Sequence, residues 1–333
     1  MTDKPKVIAI ALLSGGLDST LAVKLVLDQG VQVIGVKFTS PFCNCDQGGR
    51  CFSREVADQL GIPLRTVSKG EEYLDVVRQP RHGYGSGMNP CIDCRIFMFK
   101  KTWAIAAEIG AQFIITGEVL GQRPMSQHMA AIRLIERQSG MERRVLRPLS
   151  AIHFPPTIAE EQGWVDRTRL LGLSGRSRKP QLQMARELGI DAFACAAGGC
   201  LLTEKQFAVR LRDLFQTRPN VSMRDMMVLK VGRRFAVGDA RIVVGRDETE
   251  NHVLETLRRP DDYLFEVREC GSPVTLLEGP PSGPAIEAAA RLTARYSDCR
   301  DAVVAVHYGQ AELDRVIEVS PISDAEAAAL RVG

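Results

Sequence analysis

The string Ser14-Gly15-Gly16-Leu17-Asp18-Ser19 follows directly on the apolar run Val7-Ile8-Ala9-Ile10-Ala11-Leu12-Leu13, and it constrains the fold more than any other feature. A short, wholly apolar run bounded by a turn reads as a buried strand. A Gly-Gly turn that leads from such a strand into a helix presents backbone N–H groups, that of Leu17 among them, and a positive helix end to an anion. Gly15 and Gly16 let the backbone approach a phosphate closely, and Ser14 and Ser19 add hydroxyl donors. Asp18 suits Mg²⁺, the ion that accompanies nucleotide phosphates. The spacing is not the Gly-x-x-x-x-Gly-Lys-Ser/Thr run of a Walker loop. An ordinary strand-to-helix turn would need only the two glycines, so the serines and the aspartate carry the phosphate reading.

The first half of the chain alternates strand and helix signals. Strands are expected at 7–13, 31–38, 64–67 and 112–116, and helices at 19–29, 53–60 and 94–109, with Gly30, Gly61 and Gly110 as stops. Ile96, Phe99, Trp103 and Ala106 fall three or four apart, the helical period. This rhythm predicts an α/β fold with a doubly wound parallel sheet. Ligands of such sheets bind beyond the carboxyl ends of the strands, where residues 14–19, 39–51 and 116–122 would lie. After about residue 219 the pattern changes. Strands are expected at 226–231, 241–244, 264–267 and 274–277, then an alanine-rich helix at 285–296 and a closing strand at 303–306. The boundary is set between Gln216 and Arg224, giving domains 1–217 and 223–333, the second a smaller α+β domain.

With 45% hydrophobic and 25% charged residues the chain has an ordinary globular composition. No apolar run approaches the roughly 20 residues of a membrane span, and the N-terminus does not read as a signal peptide. No membrane partner and a cytoplasmic location are therefore expected. The net charge of +3 is unevenly spread, since residues 176–234 hold 12 Lys/Arg against 5 Asp/Glu. Such a stretch suits a phosphate backbone or, equally, a solvated surface with structural arginines.

Nine cysteines in a cytoplasmic chain point to metal or redox chemistry. Asn89-Pro90-Cys91-Ile92-Asp93-Cys94 places two thiols at a helix N-terminus, where the helix end favours thiolates. Cys200, behind Gly198 and Gly199, is the third candidate ligand, with Cys195 as its rival. Structural zinc takes four ligands and would use Cys91, Cys94, Cys195 and Cys200. A dithiol catalyst would use two of them, one carrying persulfide sulfur and one resolving it. An iron–sulfur cluster on three cysteines keeps one iron open. Cys43, Cys45 and Cys51 form a further group facing the same cleft, as a second metal site, a sulfur relay or a redox pair. Cys270 and Cys299 read as isolated core or surface thiols.

The string at residues 14–19 resembles the PP-loop of ATP pyrophosphatases, whose fold is adenine nucleotide alpha hydrolase-like and which adenylate a carbonyl oxygen. With Asn89–Cys94, Thr116-Gly117-Glu118-Val119-Leu120-Gly121-Gln122-Arg123-Pro124, Arg147-Pro148-Leu149-Ser150 and the segment 198–203, residues 5–215 resemble tRNA thiouridine synthetases of the 4-thiouridine and 2-thiouridine type. The resemblance implies ATP and Mg²⁺ at Ser14, Gly15, Gly16, Leu17, Asp18, Ser19, Gly117 and Glu118. It implies a [4Fe-4S] cluster on Cys91, Cys94 and Cys200, with Asp18 also in the chemistry. The partners it implies are tRNA and a sulfur donor, either a cysteine desulfurase or free sulfide, and a homodimer is possible. Unlike the usual 4-thiouridine synthetase, the chain shows no RNA-binding domain before the PP-loop and no rhodanese-like tail. Residues 244–251, 271–273 and 288–297 resemble the small RNA-binding domain of NFACT-type proteins, which would supply an RNA contact; a dimerisation domain is the other reading.

The uridine carbonyl would be adenylated and its oxygen replaced by sulfur held at the cysteines. Arg123, Arg147, Arg176 and Arg178 are candidate phosphate or RNA contacts, each equally readable as an ion-pair partner. Two other functions use the same motifs: an amide- or nitrile-forming ligase with structural zinc, and an RNA-binding factor that only senses nucleotide.

Overall fold

The computed structural model describes residues 7–43, 50–191, 193 and 199–333. The chain forms two compact units, residues 1–203 and 204–333. The division falls before the helix Lys205–Thr217, earlier than the stretch 216–224 expected from composition. That helix is tied into the second unit by the Arg241 guanidinium, which donates to both carboxylate oxygens of Asp213 at 2.9 and 2.8 Å.

In the first unit, strands β1 (Ile8–Leu12), β2 (Gln32–Thr39), β3 (Leu64–Ser68), β4 (Phe113–Ile115) and β5 (Val145–Leu146) form one sheet in the order β3-β2-β1-β4-β5. All its pairings are parallel, with Ile10 opposite Ile34 on one side and Ile114 on the other. Strand side chains alternate between faces, and both faces here are apolar. Ala9, Ala11, Phe113 and Ile115 pack with Leu17 and Leu21 of the helix Leu17–Leu27. Ile10, Val36 and Ile114 pack with Ile96 and Phe99 of the helix Cys91–Ile109. A parallel sheet needs this two-sided cover. The chain winds from β1 out to β3 and then returns to β4 on the other side of β1. The crevice beyond the carboxyl ends of β1 and β4 is therefore the switch point where ligands bind.

The second unit has six antiparallel strands, β6 (Arg233–Val237), β7 (Ala240–Val244), β8 (Tyr263–Glu266), β9 (Thr275–Glu278), β10 (Val304–Gly309) and β11 (Arg315–Val319), in the order β11-β10-β8-β9-β7-β6. Ala285, Ala289 and Ala290 of the helix Gly283–Tyr296 bury against Ile242, Phe265 and Leu277. Leu254 of the helix Glu248–Leu257 covers the opposite face with Val243, Leu264 and Leu276. Two sequence expectations fail here. The run 226–231 is not a strand: residues 226–229 belong to the helix Met223–Leu229, started by a capping box between Ser222 and Asp225. The strand at 304–309 does not close the unit, because β11 and the helix Asp324–Leu330 follow it. Among the described residues no helix is long and apolar enough to cross a membrane.

Candidate active site

The loop after β1 is tied down by its own hydroxyls. Ser14 and Ser19 share a hydrogen bond of 3.2 Å, and the Ser19 and Thr20 hydroxyls donate to the Gly16 carbonyl at 2.9 and 3.0 Å. Gly15 has φ +74°, and a Cβ there would lie 2.6 Å from the Ser53 amide nitrogen. Only glycine serves at that point, because the loop runs against the start of the helix Phe52–Leu60. Gly16 is the N-cap residue of the helix Leu17–Leu27, and no side chain caps that end. The first-turn N–H groups of a helix have no partner within it.

Asp18 stands at the rim of the crevice. Its Oδ2 accepts a 2.6 Å hydrogen bond from Gln122, and Arg178 Nε lies 3.7 Å away. Gln181 in turn donates to Gln122 at 3.2 Å. The other oxygen, Oδ1, is buried without a partner. A buried anionic oxygen without a donor is the position a cation would complete, so Asp18 fits a Mg²⁺ ligand.

Gly117 closes the site from the β4 side. A Cβ there would sit 2.4 Å from the Ser19 nitrogen and 2.5 Å from the Asp18 carbonyl carbon, so the loop after β4 lies directly on the phosphate-type loop. Glu118, beside it, points into protein. Arg147 Nε donates to its Oε2 at 3.0 Å, Thr116 donates to the same oxygen at 3.3 Å, and Arg95 Nε lies 3.2 Å from Oε1. Burial opposes its charge, but Arg95 and Arg147 outweigh it and hold the carboxyl below its ordinary range. Glu118 thus orders the crevice wall. Arg147, expected as a phosphate contact, is buried in the same network and also bonded to Glu136. Arg176 is exposed.

The cysteine motif opens the helix Cys91–Ile109, with Cys91 and Cys94 one turn apart on one face. Asn89 Nδ2 donates to Cys91 Sγ at 3.1 Å, and the Asn89 carbonyl oxygen of the side chain accepts from the Gly87 N–H at 3.0 Å. Asp93, between the cysteines, holds His82 through the backbone N–H at 3.0 Å and the ring Nδ1 at 2.9 Å. The segment 199–203 docks onto the same loop: Met88 N donates to the Leu202 carbonyl at 2.8 Å, and Leu201 N donates to the Phe42 carbonyl at 2.9 Å. This pairing sets Cys200 opposite Cys43 across an antiparallel bridge.

Cys94, Cys200 and Cys43 all act on the buried Tyr73, whose hydroxyl is pushed well above its ordinary value by burial and then by Cys94, with which it shares a hydrogen bond. Lys69, itself buried, donates to Cys94 Sγ at 3.1 Å and lies 4.1 Å from the Tyr73 ring centroid. The Cys200 thiol is pushed up to about 12, by burial first and by Cys94 and Cys43 next. Cys51 accepts from the buried Lys37 at 3.2 Å. Cys43, Cys94 and Cys200 thus all lie close enough to act on Tyr73, while Cys91 is one turn from Cys94 on the same helix. Cys45, Cys195 and Gly198 lie outside the described residues.

Among the described residues no three His, Cys, Asp or Glu side chains are grouped to hold one metal ion. That holds for Cys91, Cys94 and Cys200, the expected cluster ligands, as well as for the zinc set, whose Cys195 lies outside the described residues. Lys69, Tyr73, Asn89, Gln122 and Arg95 were missed in the sequence. Asn89 and Gln122 fall within the quoted motifs, but Lys69 and Tyr73 carry no local signal. Cys270 and Cys299, read as isolated, meet in the second unit: the Asp298 N–H donates to the Gly271 carbonyl at 2.7 Å, and the Cys299 thiol is raised to about 11, chiefly by its hydrogen bond with Cys270.

Residues 6–153 match the family described as Thiamine biosynthesis protein (ThiI), and residues 232–331 match the NFACT protein RNA binding domain. The tRNA-specific 2-thiouridylase MnmA of Bacillus thuringiensis (strain Al Hakam) is 26% identical over 268 residues, covering 72% of this chain and 68% of the relative. Over these residues the chain is similar to proteins of the ThiI family and to tRNA-specific 2-thiouridylases. Among solved structures, a 4-thiouridine synthetase–RNA complex with bound ATP is 25% identical with a TM-score of 0.39, covering 67% of this chain and 52% of that one. The chain thus spans about half the length of that synthetase. The U34-tRNA thiolase NcsA from Methanococcus maripaludis, with its [4Fe-4S] cluster, is 15% identical with a TM-score of 0.35, over 64% of this chain and 66% of that one. The loop at residues 14–19, which resembles a PP-loop, lies within the matched residues 6–153.

Proposed function

We propose that the protein is an ATP-dependent tRNA sulfurtransferase that adenylates a uridine carbonyl oxygen and replaces it with sulfur. The observation that carries this reading is the adjacency of two chemistries. The PP-loop touches the loop after β4 through Gly117, and that loop reaches the cysteine motif, with Met125 Sδ 4.0 Å from Asn89 Nδ2. Arg123, on the same loop, feels both Asp18 and Cys91. An activating site thus borders a thiol site across one loop.

ATP would lie with its phosphates on the PP-loop, where Gly15 and Gly16 allow close approach and the helix end supplies N–H donors. Mg²⁺ at Asp18 would neutralise charge on the departing pyrophosphate. Arg178 and Arg123 flank Asp18 and hold positive charge where negative charge develops. The uridine oxygen attacks the α-phosphorus and pyrophosphate leaves. On the persulfide route, a cysteine desulfurase would pass sulfane sulfur to one of Cys91, Cys94 and Cys200; its outer sulfur would attack the activated carbon and AMP would depart with the former carbonyl oxygen. A second of these thiols would then attack the inner sulfur, freeing the thiocarbonyl and leaving a cysteine disulfide for an external thiol to reduce. If the three cysteines instead held a [4Fe-4S] cluster, it would supply a binding place for free sulfide, which is already at the reduction level of the product. Lys69 and Tyr73 position Cys94, and Glu118 keeps Arg95 and Arg147 in place.

The test is mass spectrometry of tRNA nucleosides from a strain lacking the protein, beside its parent. Loss of one thionucleoside is expected, and its identity gives the ring position. Persistence of every thionucleoside in a strain without a redundant thiolase refutes the reading. Iron and acid-labile sulfide in the anaerobically purified protein are expected, whereas stoichiometric zinc would favour the ligase.

A further inference from the structure

Arg210, in the basic stretch at 176–234, takes no part in the site above. Arg210 lies on the helix Lys205–Thr217, half-buried, and its Nε is shut off from solvent without a hydrogen-bond partner. No carboxylate among the described residues forms an ion pair with it. Its charged neighbours are mostly cations: Arg246 and Arg331 act on it repulsively, and Glu250 attractively. Glu250 is already engaged by Arg246, whose Nε lies 3.0 Å from both its oxygens, and by the Gly232 and Arg246 N–H groups at 3.1 and 3.0 Å. Arg331 is exposed and in no ion pair among the described residues.

The backbone holds these cations together. Arg331 forms a bridge with Phe235 of β6, and the Val332 N–H donates to the Arg234 carbonyl at 2.9 Å. The terminal segment thus runs along the open edge of the sheet, and a Cβ on Gly333 would lie 2.9 Å from Arg210 Cγ. Beneath them Arg234 is buried, its Nη1 donating to the Val228 carbonyl at 3.0 Å. Burial of Arg210 and the repulsion from Arg246 and Arg331 both lower its proton affinity. Three guanidiniums share one carboxylate side chain here, that of Glu250, and the net positive charge left over is a cost that an anion would relieve.

We propose that Arg210, Arg331 and Arg246, at the β6 edge of the second unit, form a phosphate-binding site for the RNA backbone. The site rests on the reading that this protein acts on tRNA, and deepens it by naming where the second unit grips its substrate. Guanidinium forks match phosphate oxygens in pairs, and such contacts position an RNA without reading its sequence.

The test uses the full chain and a fluorescently end-labelled tRNA transcript, with Kd measured by anisotropy over a range of salt. Arg210→Gln and Arg331→Gln are each expected to weaken binding several-fold. Together they should lower the magnitude of the slope of log K against log salt by about 1 to 2, roughly one for each phosphate no longer neutralised. Arg331 is exposed, so its substitution leaves folding intact, and Arg210→Lys should restore part of the affinity. Arg315→Gln, on β11 at the far edge of the six-stranded sheet, removes the same charge and should change neither value. Wild-type affinity and slope in the double variant overturn the site while leaving the thiolation reading standing, as does an equal loss in Arg315→Gln. A wild-type chain that binds no tRNA at all overturns both.

Discussion

Replacing Gly117 by alanine tests whether the two loops that build the active site must touch. The added Cβ would meet the Ser19 nitrogen at 2.4 Å, the Asp18 carbonyl carbon at 2.5 Å and the Asp18 oxygen at 2.6 Å. All three are backbone atoms, so no side chain can swing aside. The nearest approach is about 1 Å short of ordinary van der Waals separation. The loops must therefore part by roughly that distance, and overpacking of this kind costs about 1–3 kcal/mol. A displacement of about 1 Å at a reacting group costs on the order of 10²-fold in rate, since Asp18 and the first helical N–H groups would no longer face one phosphate. The assay is tRNA-dependent AMP formation, with kcat and KM for ATP measured separately beside the melting temperature. Gly117→Ala should lose about 10² in kcat while still melting cooperatively. Gly30→Ala is the control. It has φ +84° but open space around the new Cβ, so it should lower stability by about 1 kcal/mol and leave kcat alone. Wild-type kcat in Gly117→Ala would refute the argument that this close approach sets the catalytic geometry.

Three further outcomes follow from the same geometry. Glu118→Gln removes the carboxylate shared by Arg95 and Arg147 and should cost about 3–5 kcal/mol of stability at neutral pH, as breaking a buried pair does. Because the folded-state carboxyl is held below its ordinary value, its contribution is present above the unfolded pKa and is lost as pH falls through the folded one. Melting temperature should therefore fall more steeply for wild type than for Glu118→Gln below about pH 4.5, and parallel curves would contradict the role given to this pair. Cys200→Ala should abolish thionucleoside formation in a complemented strain while ATP binding to the purified protein is retained; restored thiouridine would remove Cys200 from the chemistry. Oxidised glutathione should join Cys270 to Cys299, releasing two reduced glutathiones per bond, and a peptide map lacking that cross-link would show that the two thiols do not meet in solution.

The first unit was legible because its signals are local. Apolar runs of five to eight residues became β1 and β2, and the glycines placed after helices became their left-handed stops, as Gly110 with φ 69° does. The PP-loop and the Cys-x-x-Cys motif are likewise contiguous, and their placement at strand ends follows from parallel winding. The misread run at 226–231 shows the limit of that approach. Met226, Met227, Val228 and Leu229 are apolar enough for either a strand or a buried helix, and hydrophobicity alone does not separate the two. The deciding signal was upstream, in Ser222 with Asp225 three residues on, and it is one that a search for apolar runs passes over.

What stayed hidden is what pairs at long range. Nothing near Lys69 or Tyr73 in the chain announces a cysteine, yet the fold buries both against Cys94, with Tyr73 also facing Cys43 and Cys200. An ammonium group inside a protein costs several kcal/mol unless it is paired, and the hydrogen bond from Lys69 goes to sulfur, not to a carboxylate. The thiols are thus bound into the folding energetics of the unit as well as into its chemistry. The same logic runs through Glu118. A carboxylate next to a nucleotide loop reads as a metal ligand until the fold brings Arg95 and Arg147 onto it, after which its charge is committed to the wall of the crevice. Asp18 is held more loosely, with Arg178 Nε 3.7 Å away against 3.0 and 3.2 Å for the guanidiniums on Glu118. Each acid has one buried oxygen without a hydrogen-bond partner, so two acids of similar promise in the sequence are separated by how closely cations hold them, and Asp18 keeps more of its charge for a ligand.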